Sequence, residues 1–171
     1  MIAYDLSKIK MIVFDVDGVL SASTVAYKMD GTLQRTTHMK DIYAIQHALR
    51  SGLEIAVLSG ARDVYVRPLF ETLGLKHVYV HAQYKKTCLE DLMQKTAYRP
   101  EEIAYMGDDM PDYEVMQMVG LGCCPADAAG DIRAIARYVS PFAGGVGCAR
   151  DLIEQVMKAQ GTWMNQETFI W

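Results

Sequence analysis

Apolar residues along this chain follow two rhythms: short continuous runs that stop at a polar or glycine-bearing turn, and longer stretches where they recur every third or fourth position. The first run, residues 9–14, is almost wholly apolar, as in a strand buried on both faces, and it stops at Asp15. Asp30-Gly31 then lies between Val25-Ala26-Tyr27 and Thr32-Leu33-Gln34, which predicts a tight β-hairpin forming a flap over residues 19–37. From Asp41 the period lengthens, with Ile42, Ile45, Ala48 and Leu49 on one helical stripe closed by Gly52. Beyond it, runs at 53–58, 77–80, 103–106, 121–124 and 138–139 are followed by helical patterns near 63–73, 85–95, 111–119, 128–136 and 146–159.

This alternation predicts an α/β fold, a doubly wound (Rossmann-like) and mostly parallel sheet with helices on both faces, because right-handed crossovers place them there. One domain over residues 1–171 accounts for the pattern, and only residues 161–171 read as a tail that leaves the body. With 171 residues, 51% apolar, 22% charged and a net charge of -4, the chain is neither disordered, collagenous nor a disulfide scaffold. No apolar run approaches the roughly 18 residues of a membrane span. Residues 1–10 carry Asp5 and no signal-peptide core, so a cytoplasmic location is expected. Cys88, Cys123, Cys124 and Cys148 lack paired metal-ligand spacing and read as reduced packing thiols. The mild acidity and the lack of a basic stripe argue against a nucleic-acid partner.

Sites in such a sheet form at the carboxyl ends of the strands, and four of those ends are polar beyond the needs of packing. Asp15 and Asp17 alternate across one residue in Asp15-Val16-Asp17-Gly18, where their mutual repulsion calls for a cation or a shared proton. A hard divalent ion such as Mg2+ suits those oxygens, although Asp and Gly also make ordinary caps and turns. Ser59-Gly60 ends the next run with a hydroxyl and a free amide, suited to phosphate oxygens but common in plain turns. Lys85-Lys86 follows the third, where one lysine facing a cleft would offset phosphoryl charge, and lysines there are also ordinary surface. Asp108, Asp109 and Asp112 crowd the loop after residues 103–106, as further metal ligands or as a capping cluster around Pro111. Taken together, four such ends in one small domain specify phosphoryl transfer through an aspartyl-phosphate. Asp15 is the nucleophile, Asp17 the acid and base, and Ser59 and Lys85 hold the phosphoryl group.

The ordered set Asp15-x-Asp17-Gly18-Val19-Leu20, Ser59-Gly60, Lys85 and Gly107-Asp108-Asp109-x-x-Asp112 resembles the four motifs of the haloacid dehalogenase superfamily of phosphatases. The flap in place of a cap domain, Met39-Lys40-Asp41 opening a helix, and Ala143-Gly144-Gly145-Val146-Gly147 with Arg150 narrow the likeness. Together they look like the capless 3-deoxy-D-manno-octulosonate 8-phosphate phosphatases of lipopolysaccharide biosynthesis. That resemblance implies Mg2+ held by Asp15, Asp108 and the carbonyl of Asp17, with Asp109 and Asp112 supporting the metal site and Ser59, Gly60 and Lys85 on the phosphate. It implies sugar-acid contacts from the segment His38, Lys40 and Asp41 and from Arg62 and Arg67. It also implies a homotetramer in which the flap and a neighbouring subunit close each site. The family's usual Thr-Asp-Gly is Ser21-Ala22-Ser23 here, and an arginine usual after the motif glycine is replaced by Ala61, with Arg62 next. The relative acting on a nine-carbon sugar acid 9-phosphate carries Glu where Ala61 stands, which favours the eight-carbon substrate.

Two other classes compete. A phosphoacceptor signalling domain would need an aspartate ending the third parallel strand, and His81-Ala82-Gln83 supplies none. A non-catalytic oligomerisation module would not need all four motifs intact. Gly144-Gly145-Val146-Gly147 reads as a tight turn rather than a nucleotide loop, and His77 and His81 receive no role.

Overall fold

The structure, a computed structural model, describes residues 2–62 and 64–170. Six parallel strands form its sheet in the order β5-β4-β1-β6-β7-β8, where β1 is Met11–Phe14, β4 Glu54–Leu58, β5 His77–Tyr79, β6 Ile103–Met106, β7 Leu121–Cys124 and β8 Tyr138–Val139. A separate antiparallel pair, β2 (Ala26–Tyr27) and β3 (Leu33–Gln34), is the expected flap. The helices are α1 (Met39–Arg50), α2 (Val66–Thr72), α3 (Lys85–Thr96), α4 (Tyr113–Met118), α5 (Gly130–Ile135) and α6 (Cys148–Ala159).

Side-chain alternation along each strand splits the core in two. Ile12, Phe14, Ile55, Val57, Ala104 and Met106 pack with Ala44 and Ile45 of α1 and Leu152, Ile153 and Val156 of α6. Met11, Val13, Ala56, Leu58, Ile103 and Tyr105 face the other way, onto Leu89 and Leu92 of α3, Val115 of α4 and Ile132 of α5. Burial on both faces is why the strands read as unbroken apolar runs. Cys123 and Cys124 are both buried and unbridged, one in each layer.

Several expectations shift. α2 begins at Val66, with Pro68 in its first turn, rather than near Asp63, a residue outside the described set. The pattern at 111–119 opens as a 3-10 turn, Met110–Asp112, before α4, because Pro111 and the capping Asp109 tighten the entry. The hairpin is looser than a two-residue turn. Gly31 N donates to the Lys28 carbonyl at 2.9 Å and Lys28 N to that of Thr32 at 2.8 Å, with Gly31 left-handed at φ +80, a three-residue loop. Residues 161–170 do not leave the body. Trp163 is buried against His47, ring centroids 5.2 Å apart, and its carbonyl lies 2.8 Å from His47 Nε2. Tyr43 donates to the Thr168 carbonyl and Arg50 to that of Ile170 at 2.9 Å, so the segment straps back over α1; Trp171 lies outside the described residues. No helix among the described residues is long and apolar enough to cross a membrane.

The strand order places the reversal of winding between β1 and β6: from β1 the chain moves to β4 on one side, and from β6 to β7 on the other. Loops at those two carboxyl ends therefore diverge and leave a crevice.

Candidate active site

β1 and β6 run in register from Met11 opposite Ile103 to Phe14 opposite Met106, so Asp15 and Gly107 leave the sheet side by side. Asp15 N donates to the Met106 carbonyl at 3.0 Å, which pins the first residue beyond the strand. Lys85, the first residue of α3, crosses beneath. Its Nζ lies 3.0 Å from Asp15 Oδ2 and 2.7 Å from Asp112 Oδ1, and all three side chains are nearly inaccessible.

Asp112 is saturated. Tyr105 donates to its Oδ1 at 2.5 Å, beside Lys85, while the amide of Asp108 donates to Oδ2 at 3.2 Å. These bonds make Asp112 the brace of the 107–112 loop and leave Asp15 and Asp108 as the carboxylates turned to the opening. Oxygens of Asp15, Asp108 and Asp112 fall within 4.8 Å of one another. Burial pushes the Asp15 carboxyl up to about 7, with Lys85 opposing and the Asp112 charge adding. Asp108 also rises to about 7, through burial first and then the Asp112 charge. Burial alone would lower the Lys85 ammonium, but Asp15 and Asp112 hold it above its ordinary value. One lysine among three crowded carboxylates leaves an anionic, oxygen-only set of donors, which is what a small hard divalent cation requires.

Two glycines allow this crowding. A Cβ on Gly18, at φ +86, would sit 2.0 Å from Asp108 Oδ2. Gly144 lies against the same turn from the other side, where a Cβ would come within 1.9 Å of the Gly18 carbonyl oxygen. Residues 143–147 are therefore more than a turn: they form the wall on which the Asp15–Ser21 loop rests.

Other anticipated residues fall around this centre. Asp17, Asp109 and Ser23 line the same cleft as Asp15, Asp108 and Asp112. The Asp17 carboxylate stands apart from the three-acid cluster and is gripped by Arg35 of the flap. Asp109 caps the Met110–Asp112 turn through the Met110 amide, 2.8 Å away. Ser59 is buried at the end of β4, its Oγ accepting from Ala61 N at 3.1 Å, and Gly60 beside it is exposed.

The sugar-contact candidates do not converge. Asp41 is buried and its Oδ1 accepts from the Arg150 amide at 2.7 Å, which caps α6. Burial raises the Asp41 carboxyl, opposed by that bond and by His38, whose Nδ1 is 3.3 Å from Oδ2. His38 and Asp41 line a small apolar cavity under the flap, with Val16, Leu20 and Phe70. Lys40 faces a second cavity beside α6. Arg62 is exposed, and Arg67 pairs with Glu71 on its own helix at 3.3 Å. Arg35 and Tyr105 were not singled out from sequence. A lone tyrosine in an otherwise aliphatic strand, directly before an acidic loop, is a readable signal for the latter; Arg35 has none, since it reaches Asp17 only through the hairpin.

The haloacid dehalogenase-like hydrolase family model matches residues 81–150. The chain is 37% identical over 153 residues to the 3-deoxy-D-manno-octulosonate 8-phosphate phosphatase of Escherichia coli K12, an alignment covering 90% of this chain and 81% of that protein. The crystal structure of the Yersinia pestis phosphatase of the same name matches with a TM-score of 0.89 at 30% identity, covering 92% of this chain and 85% of that one. The Moraxella catarrhalis phosphatase, solved in complex with magnesium ion, phosphate ion and KDO, matches with a TM-score of 0.88 at 29% identity, covering 93% and 91%.

Proposed function

The chain belongs to the 3-deoxy-D-manno-octulosonate 8-phosphate phosphatase family of haloacid dehalogenase-like hydrolases, and from that membership we propose that it hydrolyses 3-deoxy-D-manno-octulosonate 8-phosphate to the sugar acid and phosphate, with Mg2+ as cofactor. The observation that carries the reading is the meeting of Asp15, Lys85, Asp108 and Asp112 at the crevice between β1 and β6.

Asp15 and Asp108, with the Asp17 carbonyl, are the residues that would hold the ion. When bound, Mg2+ supplies the positive charge that lets a carboxylate approach a phosphate dianion. Lys85 fixes the Asp15 carboxylate by one hydrogen bond, leaving the other oxygen to attack phosphorus. As the Asp15 O–P bond forms, the bond from phosphorus to the sugar oxygen breaks, and that oxygen takes a proton from Asp17. Water then attacks phosphorus, gives a proton to Asp17 and releases phosphate from Asp15. Ser59 and the Gly60 amide hold phosphoryl oxygens, while Asp109 and Asp112 keep the acidic loop in place. Lys40, His38 and Arg62 are the candidates for contact with the sugar acid, with Asp41 acting through the α6 cap and Arg67 paired on its own helix.

Ala61, standing where the nine-carbon relative carries Glu, favours the eight-carbon substrate over the nine-carbon 9-phosphate. The setting is lipopolysaccharide biosynthesis in the cytoplasm, by one domain that works as a homotetramer, the flap closing each site with a neighbouring subunit. Turnover of both sugar acid phosphates with Mg2+ tests the reading. Asp15→Asn should abolish it while leaving the thermal transition in place, and failure of the wild type to release phosphate from either ester would overturn it.

A further inference from the structure

The flap does something beyond covering the crevice. Arg35, directly after β3, donates Nε to Asp17 Oδ1 at 2.7 Å and one terminal nitrogen to Asp17 Oδ2 at 2.8 Å, two parallel bonds of the fork geometry that only guanidinium offers a carboxylate. The arginine side chain is 14% exposed, its partner 40%. The backbone behind it is tied to the loop carrying Asp17. Thr36 N donates to Ser21 Oγ at 3.2 Å, and Ala22 N to Thr36 Oγ1 at 3.3 Å. Ser21 is bound in turn by Gly18 N at its carbonyl, 3.0 Å, and by its own amide to Val16 O at 2.8 Å. The stem of Arg35 therefore cannot drift with respect to Asp17.

A partly exposed ion pair contributes little to stability, so this arrangement is poorly explained as a fastening for the fold. What it does fix is direction. Asp17 stands two residues from the nucleophile, yet its carboxylate is outside the three-acid group, drawn to the flap side of the cleft. An acid and base that must serve first the leaving oxygen and then the attacking water needs one orientation through both steps, and a half-exposed aspartate lacks that by itself.

We propose that Arg35 is a positioning residue for Asp17, a flap-borne guanidinium that aims the acid and base at the scissile oxygen and makes hydrolysis depend on the flap being in place. The proposal rests on the phosphatase reading: protonated Asp17, held by the guanidinium through its other oxygen, gives its proton to the leaving oxygen as the phosphorus–oxygen bond breaks, and the carboxylate so formed, gripped by both guanidinium bonds, takes a proton back from the attacking water.

Leaving-group dependence separates positioning from binding. Expulsion of a sugar alkoxide requires protonation, whereas p-nitrophenolate leaves without it. Arg35→Ala should lower kcat/KM about 10²-fold on the sugar acid 8-phosphate and less than about 3-fold on p-nitrophenyl phosphate. The thermal midpoint should fall by less than about 4 °C. Asp17→Asn should show the same selectivity, and adding Arg35→Ala to it should cost no more than about twofold further. Arg35→Lys, which keeps the charge and stem but not the fork, should fall between wild type and Arg35→Ala, and it serves as the reporter if the alanine variant does not fold. Equal losses on both esters, no loss on either, or additive losses in the double variant would overturn the role of Arg35. Failure of the wild type to cleave either ester would instead sink the phosphatase reading.

Discussion

Gly144→Ala tests whether the wall behind the Asp15–Ser21 loop sets the catalytic geometry. The backbone at Gly144 is not left-handed, so alanine meets no torsional objection there, and any effect comes from space. Its Cβ would stand 1.9 Å from the Gly18 carbonyl oxygen and 2.5 Å from the carbonyl carbon, so the two segments must part by more than 1 Å to reach even a tight 3.0 Å contact. Main chain on both sides removes the option of a rotamer change. The wall is held by Gly144 N to Asp127 Oδ1 at 2.8 Å and by Gly145 N to Val19 O at 2.8 Å, and the loop by Gly18 N to Ser21 O at 3.0 Å. Overpacking of this kind costs about 1–3 kcal/mol, or about 2–12 °C in the thermal midpoint of a chain this size. Movement of about 1 Å between Asp15, Asp17 and Asp108 costs about 10²-fold in kcat/KM. Gly130→Ala is the control: a Cβ there meets nothing within 4 Å, and the residue opens α5, so its midpoint should hold or rise slightly. Steady-state phosphate release with saturating Mg2+ and thermal unfolding by circular dichroism give both quantities. If Gly144→Ala matched Gly130→Ala in midpoint and turnover, the wall would have no part in placing the acids.

Other outcomes follow from the same geometry. Asp112→Asn removes the charge 2.7 Å from Lys85 at a fully buried position while Asp15 stays 3.0 Å from the same ammonium, so hydrogen bonds are weakened without orphaning the lysine, about 1–3 kcal/mol is lost, and the midpoint should drop along with turnover. A loss of activity at unchanged midpoint would show that Asp112 is no brace. Without metal, the folded state holds Asp15 and Asp108 protonated up to about pH 7, above the ordinary carboxylate value. The folded state therefore binds more protons than the unfolded chain between about pH 4 and 7, and metal-free stability falls as pH rises through that window. A cation favours the ionised acids, so the midpoint gained on adding Mg2+ over chelator should grow from about pH 5.5 to about pH 8, and an equal gain at both would refute this account. Trp163→Ala removes the anchor of the C-terminal strap and should cost about 3–5 kcal/mol in chemical denaturation, with turnover per folded molecule within about twofold.

Much of this protein was legible without coordinates. Strands β6, β7 and β8 fall where the apolar runs predicted them, and Asp15, Ser59, Lys85 and Asp108 follow strands as the carboxyl-edge rule requires. Those features are local: periodicity fixes which residues pair with the sheet, and each acid or hydroxyl needs only to lie within two residues of a strand end. Boundaries governed by local competition moved by a few residues, as at α2, where Pro68 in the first turn accompanies a late start.

Contacts between residues far apart in the chain belonged to the tertiary structure alone. Arg35 meets Asp17 because a three-residue turn sets the return of the hairpin. Gly144 lies on Gly18 across more than a hundred residues, and the terminal segment folds onto α1 through Trp163 and His47 rather than leaving it. Pattern reports which way a side chain faces; packing of whole elements decides what it finds there. The chain sequence thus determined the chemistry on offer at each strand end, and only the packed fold decided that one lysine would be shared by two acids, that Asp112 would be a brace, and that the flap would reach the acid and base.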